Sequence, residues 1–135
     1  MQSKAVLTVT EVNRILEAAR AEAERNQWAV SIAVVDDGGH PLALLRLDNA
    51  APTSGYISTE KARTAALGRR ESKGFEDMIN GGRTAFLSAP VLAGMLEGGV
   101  PVMVEGQVVG AVGVSGVKAD QDAQVAKAGA AAVLG

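Results

Sequence analysis

The order of apolar patterns in this 135-residue chain predicts an α+β fold, with helices on a mostly antiparallel sheet. Two observations carry that prediction. β-branched apolar runs come in pairs separated by Gly-rich turns, which is hairpin chemistry. Segments with helical spacing come before, between and after those pairs. At this length the chain is one domain, residues 1–135, with no room for a second independent core.

The first helix is placed at 9–26. Thr8 and Glu11 fit a capping box. Val12, Ile15, Leu16, Ala19 and Ala23 then form one apolar stripe. Residues 30–35 (VSIAVV) read as a strand. Asp36-Asp37-Gly38-Gly39 supplies a turn, and 41–47 returns as the second strand, with His40 on its shoulder. A break at 49–52 leads to a helix at 53–67, closed near Gly68. Ser72 is placed to cap a short helix at 73–80, ended by Gly81-Gly82. Strands follow at 100–104 and 107–115, turning at Glu105-Gly106, and a short strand at 95–97 would bring the sheet to five. The last helix is placed at 119–133. The reading is therefore a five-stranded, mostly antiparallel sheet covered by helices.

Composition narrows the function. Thirteen Lys and Arg against fifteen Asp and Glu give a formal charge of −2, without the basic excess of a nucleic-acid-binding face. Four aromatic residues are too few for base stacking. With no cysteine and one histidine, thiolate chemistry, Cys-type zinc sites and multi-His metal sites are gone, so no metal centre is expected. No apolar run approaches the ~18 residues of a membrane span, and no signal-peptide pattern opens the chain, so a cytoplasmic protein is the expectation. Gly is 16 of 135 residues, which makes the core thin in bulky side chains and favours a homo-oligomer.

Several residues stand out for chemistry. Asp122 falls on the apolar face of the last helix with Val125, Ala126, Gly129 and Val133. A carboxylate there needs a partner, whether backbone N–H groups, a lysine or a ligand, or it serves as a general acid/base. Lys61 and Thr64 share a stripe with Ile57 and Gly68. If that stripe faces inward, Lys61 needs a carboxylate, either Asp122 or a ligand. Arg46 and Asp48 close the second strand, where a guanidinium can hold a carboxylate or simply form a surface pair. Gly110-x-x-Gly113-x-Ser115-Gly116 leads from a strand into a helix, where amides can bind an anion or glycines can serve tight packing. It lacks the Rossmann spacing, and Val117 removes the nucleophile-elbow pattern. His40 is the one candidate for an axial haem ligand.

Two blocks of sequence resemble a family. VVDDGGHPLALLRLDNAAPTSGYISTEKARTAA carries Asp-x-x-Gly-His, Arg-x-Asp-x-Ala and Lys-Ala-x-Thr-Ala. GGVPVMVEGQVVGAVGVSGVKADQDAQVAKAG carries Gly-Gly-x-Pro, the glycine series through Ser115-Gly116 and the Gln-Asp pair of the last helix. In that order they resemble the GlcG/HbpS family over nearly the whole chain. Residues 69–96 match little, and Asn49 stands where the family often has Gly.

The resemblance implies a profilin-like, three-layer α/β/α domain and oligomers from dimers to octamers. Some members bind haem and act in redox sensing, a similar module closes corrinoid adenosyltransferases of the PduO type, and others are encoded beside glycolate use or aromatic-ring degradation. Carried over by position, the marked residues are Asp36, Gly39, His40, Arg46, Asp48, Lys61, Thr64, Gly113, Ser115, Gly116 and Asp122.

The expected function is small-ligand or haem binding, in a pocket between the middle helix, the strand ends and the start of the last helix. Arg46, Asp48, Lys61, Thr64, Gly113, Ser115, Gly116 and Asp122 would bind ligand, with His40 as the iron ligand if that ligand is haem. The alternative is an enzyme for a small unsaturated or hydroxy acid. Arg46 or Lys61 would hold the carboxylate and Asp122 would be the acid/base. A structural or partner-binding module is the third reading.

Overall fold

The computed structural model describes residues 1–134. Its elements are α1 (Val9–Arg25), β1 (Ser31–Asp36), β2 (Pro41–Arg46), α2 (Thr53–Gly68), α3 (Lys73–Asn80), β3 (Gly99–Val104), β4 (Gln107–Ser115) and α4 (Ala119–Ala131). Short 3-10 turns lie at Thr84–Ser88 and Ala132–Leu134. Gly135, the last residue of the expected domain, lies outside the described residues.

The sheet runs β2-β1-β4-β3, with every neighbouring pair antiparallel. Two hairpins, β1–β2 and β3–β4, are joined edge to edge by β1 and β4. Ser31 pairs with both Arg46 and Ser115, so the centre of the sheet is closed by residues far apart in sequence.

Side chains alternate along β1 and divide the interior in two. Ile32 and Val34 face a core with Ile15 and Ala19 of α1 and Val125 and Ala126 of α4. Ala33 and Val35 face Ala62, Ala65 and Ala66 of α2. Helices therefore cover both faces of an antiparallel sheet, and the α+β class is observed.

The sheet has four strands among the described residues, not five. Residues 95–97 form no strand. A Cβ on Gly94 would lie 2.2 Å from the Glu60 carbonyl carbon, so the segment is pressed across α2 instead of lying along the sheet. The Leu96 amide then turns back onto the Gly94 carbonyl at 2.8 Å.

Two helix ends also differ from expectation. Helix α2 includes Gly68, and the left-handed cap is Arg69, with φ of 58°. Gly68 is required for packing, because the Phe75 ring would sit 2.5 Å from a Cβ there. Ser72 precedes α3, but its hydroxyl does not cap that helix. It donates to the Leu96 carbonyl and accepts the Gly99 amide at 2.8 Å.

Candidate functional site: a cleft along the edge strand

Helix α2 packs chiefly on β4 and β1 and much less on β2. The α2-facing side of this edge strand is therefore partly uncovered. On that side Leu44 lies opposite Ala33, and Arg46 opposite Ser31. Leu44 is 55 % exposed and Tyr56, on the facing rim of α2, is 80 % exposed. Between them opens a cleft of about 650 Å³. Ala33, Val35, Pro41 and Leu44 line it from the sheet, and Tyr56, Thr59 and Glu60 from the helix. Arg46 also lines the cleft, and its guanidinium makes no ion pair or hydrogen bond among the described residues.

The β1–β2 turn is fixed by Asp36. Its Oδ1 accepts the Gly38 and His40 amides, each at 2.9 Å. Gly39 takes φ of 80° and lies against the Arg63 stem, which would be 2.8 Å from a Cβ. Asp37 pairs with Lys4, and that contact, helped by Arg69, holds its carboxyl below the usual carboxylate range. His40 is exposed and immediately precedes Pro41 of the cleft. Its ring lies 3.2 Å from the position of a Cβ on Gly38, and its two ring nitrogens make no hydrogen bond among the described residues.

The other expected site residues form a separate, buried group. Lys61 Nζ donates to Asp122 Oδ2 at 3.1 Å and to the Val114 carbonyl at 2.9 Å. Asp122 Oδ1 accepts the Val117 amide at 3.1 Å. Both side chains are almost wholly buried, at 5 % and 4 % exposure. Since α2 and α4 lie on opposite faces of the sheet, this pair joins the two layers past the end of β4. Burial pushes the Asp122 carboxyl up, while Lys61 and the Val117 amide oppose that shift.

Thr64 is also buried, and its hydroxyl accepts the Gly94 amide at 3.1 Å. Gly113 is no open anion cradle. A Cβ there would lie 2.0 Å from the Ser58 carbonyl oxygen of α2. Ser115 is buried, and Gly116, with φ of 143°, fits against the Ala29 carbonyl. Asp48 is exposed beyond the end of β2.

One anticipated pocket thus becomes two places. His40, Arg46 and Asp48 lie at the surface near β2. Lys61, Thr64, Gly113, Ser115 and Asp122 are packed together where α2, β4 and α4 meet and are not among the residues that line the cleft, while Gly116 is exposed just after β4. Of the expected walls, α2 and the strand end are present, and the start of α4 is not. Sequence reading missed Tyr56, Thr59 and Glu60. Their spacing, with Arg63 following, marks one polar helix face, which is indistinguishable in sequence from ordinary solvated surface.

An antiparallel sheet covered on both faces, with an apolar cleft at its edge, defines a small α+β domain. Residues 7–131 match the family described as haem degrading protein HbpS-like. The chain belongs to that family. It is 61 % identical to Protein GlcG of Escherichia coli K12 over 115 residues, covering 85 % of each chain. A crystal structure of a double-mutant form of Streptomyces reticuli HbpS superposes with a TM-score of 0.88 at 34 % identity, covering 100 % of this chain and 91 % of that one. A PduOC–haem complex has the same fold, with a TM-score of 0.82 at 24 % identity over 95 % of each chain. No described helix is long and apolar enough to cross a membrane.

Proposed function

We propose that this protein binds a flat, largely apolar ligand carrying a carboxylate, with haem the first candidate, in the cleft between β2 and α2. The observation that carries the reading is an apolar sheet surface beside an unpaired guanidinium. The floor of Ala33, Val35 and Leu44 suits an apolar ring face, since burying it removes apolar area from water. Arg46 suits a carboxylate, which a guanidinium can hold through two parallel hydrogen bonds. The volume lies within the range of small-molecule sites, about 300–1,000 Å³.

The residues also fit haem as a group. Its propionates match Arg46, its ring matches the apolar floor, and His40 stands beside Pro41 with both ring nitrogens free of hydrogen bonds among the described residues. Bound haem would supply an iron centre, with imidazole as an axial ligand. The family description and the likeness to HbpS support this choice of ligand.

The acid/base reading of Lys61 and Asp122 gains no support from the geometry, because the two groups bond to each other away from the cleft. The expected homo-oligomer is read in the same preparation by light scattering, with and without haem.

The test is a haem titration followed at the Soret band for wild type, His40→Ala and Arg46→Ala. Saturable one-to-one binding is expected. His40→Ala should lose the Soret signature of a ligated iron. Arg46→Ala should bind about ten-fold more weakly, the loss of one charged hydrogen bond of about 1.5 kcal/mol. Absence of saturable binding, or equal binding by all three proteins, overturns the reading.

A further inference from the structure

Helix α3 is secured at one end only. Near its start Phe75 is buried, and Ser72 just before it bonds to Leu96 and Gly99. At its finish Asp77 and Asn80 are exposed, and so are Gly81 and Gly82 beyond it. A Cβ on Gly82 would meet nothing within 4 Å. Backbone hydrogen bonds close this end: the Gly81 amide to the Asp77 carbonyl at 2.9 Å, Gly82 to Ile79 at 3.0 Å and Arg83 to Met78 at 3.1 Å. With eight residues, α3 is shorter than the about 12–15 residues at which a helix holds by itself. Opening its last turn loses few side-chain contacts, so that opening is a low-energy local event.

The residue at that end is chemically reactive. A backbone amide nitrogen can attack the carboxamide carbon of the asparagine before it, and glycine, with no side chain, hinders the attack least. Of the four asparagines, Asn80 alone precedes glycine. Its carboxamide is exposed and makes no hydrogen bond among the described residues. The others are less open to attack. Asn13 lies inside α1, Asn26 donates Nδ2 to the Glu22 carbonyl at 2.8 Å, and Asn49 precedes the buried Ala50. Asp37-Gly38 could close the same ring, but a carboxylate is a poorer electrophile than an amide. Lys4 also holds that carboxylate, and Asp36 Oδ1 holds the Gly38 amide at 2.9 Å.

We propose that Asn80 is a site of spontaneous covalent modification, converted through a cyclic imide with Gly81 to isoaspartate and aspartate. When the last turn of α3 opens, the Asp77 carbonyl releases the Gly81 amide and Asn80 leaves the helical conformation. The Gly81 nitrogen then attacks Asn80 Cγ. An N–Cγ bond forms and the Cγ–Nδ2 bond breaks. Nδ2 departs as ammonia, with its own protons and the one lost from the Gly81 amide. Solvent water next opens the imide. Breaking the bond to Cγ gives aspartate, and breaking the bond to the Asn80 backbone carbonyl carbon gives isoaspartate. Nothing is oxidised or reduced. The new carboxylate stands at the C-terminal end of α3, where the helix dipole opposes it, and within one turn of Glu76 and Asp77. The modified end therefore closes less well than the original. The inference goes beyond the haem reading and uses no residue of the cleft.

The test ages the full chain without haem, at physiological temperature and mildly alkaline pH, and follows it by peptide mass spectrometry. Enzymatic methyl labelling specific for isoaspartate separates the two products. Asn80 is expected to convert ten-fold or more faster than Asn13, Asn26 and Asn49. Gly81→Ala, at a φ of −78° that alanine adopts, should slow the conversion ten-fold or more, with circular dichroism verifying the fold. Hydrogen exchange should show the Gly81, Gly82 and Arg83 amides less protected in aged than in fresh protein. The proposal is overturned if Asn80 converts no faster than the other asparagines, or if Gly81→Ala ages as wild type does. It is equally overturned if the product holds no isoaspartate, or if aged and fresh protein protect those amides alike.

Discussion

Removing the Lys61 ammonium leaves a buried carboxylate on α4 and an orphaned carbonyl at Val114. Breaking one side of a buried ion pair costs about 3–5 kcal/mol, so Lys61→Met should lower stability by that amount near neutral pH, measured by urea unfolding. The cost should shrink on acidification. Burial already raises the Asp122 carboxyl above its unfolded value, and losing Lys61 removes its largest opposing influence. For a group raised in the folded state, stability is present below the unfolded carboxylate value of about 4 and is lost as pH rises through the folded one. A penalty that stays constant from pH 4 to pH 8 would show that Asp122 does not carry it. Sequence took this pair halfway. Helical spacing put Asp122 on an apolar face that demanded a partner, and left open whether Lys61 faced inward or lay in solvent at the helix margin. It left open whether each would meet the other or a ligand, because that depends on the end of β4 ending between two helices.

Helix α2 meets the sheet through backbone contacts at several points. A Cβ on Gly113 would meet the Ser58 carbonyl at 2.0 Å and the Ala62 amide nitrogen at 2.5 Å, and neither is a flexible side-chain end. Gly113→Ala should therefore cost about 3 kcal/mol, the upper end of the usual overpacking penalty, and thermal unfolding should show it. A variant as stable as wild type would mean that α2 can move outward. The same closeness explains which parts of the fold were legible. Helix α1 was written locally, in Thr8, Glu11 and the apolar stripe. In the structure the Glu11 carboxylate accepts both the amide and the hydroxyl of Thr8, at 2.7 Å each. Both hairpins were legible from their turn residues. The supposed strand at 95–97 was not, because its Met-Leu-Glu composition says nothing of the helix backbone that nearby Gly94 and Gly99 must press against. The cleft was hidden for a related reason. It exists where α2 stops covering β2, and no residue type records where a neighbouring helix stops.

At the scale of the molecule, edge strand β2 pairs only with β1 among the described residues, and Arg46 at its end lines the cleft. The central ladder has a further consequence, for the birth of the chain. Ser31 finds its partner in Ser115, so β1 is made long before β4 exists to cover its second edge. Pairings of such sequence separation close slowly, since the intervening loop must be ordered first. At a synthesis rate of about 5–20 residues per second, β1 waits for seconds with a Val-rich edge open. Ribosome-bound chains halted before residue 107 should be cut readily by protease within 31–46, and chains carried past residue 115 and clear of the exit tunnel should resist. Equal resistance in both would mean that the first hairpin protects itself. For those seconds the strand that will become the centre of the molecule is a surface, and an exposed β edge of this composition invites pairing with whatever chain is nearby.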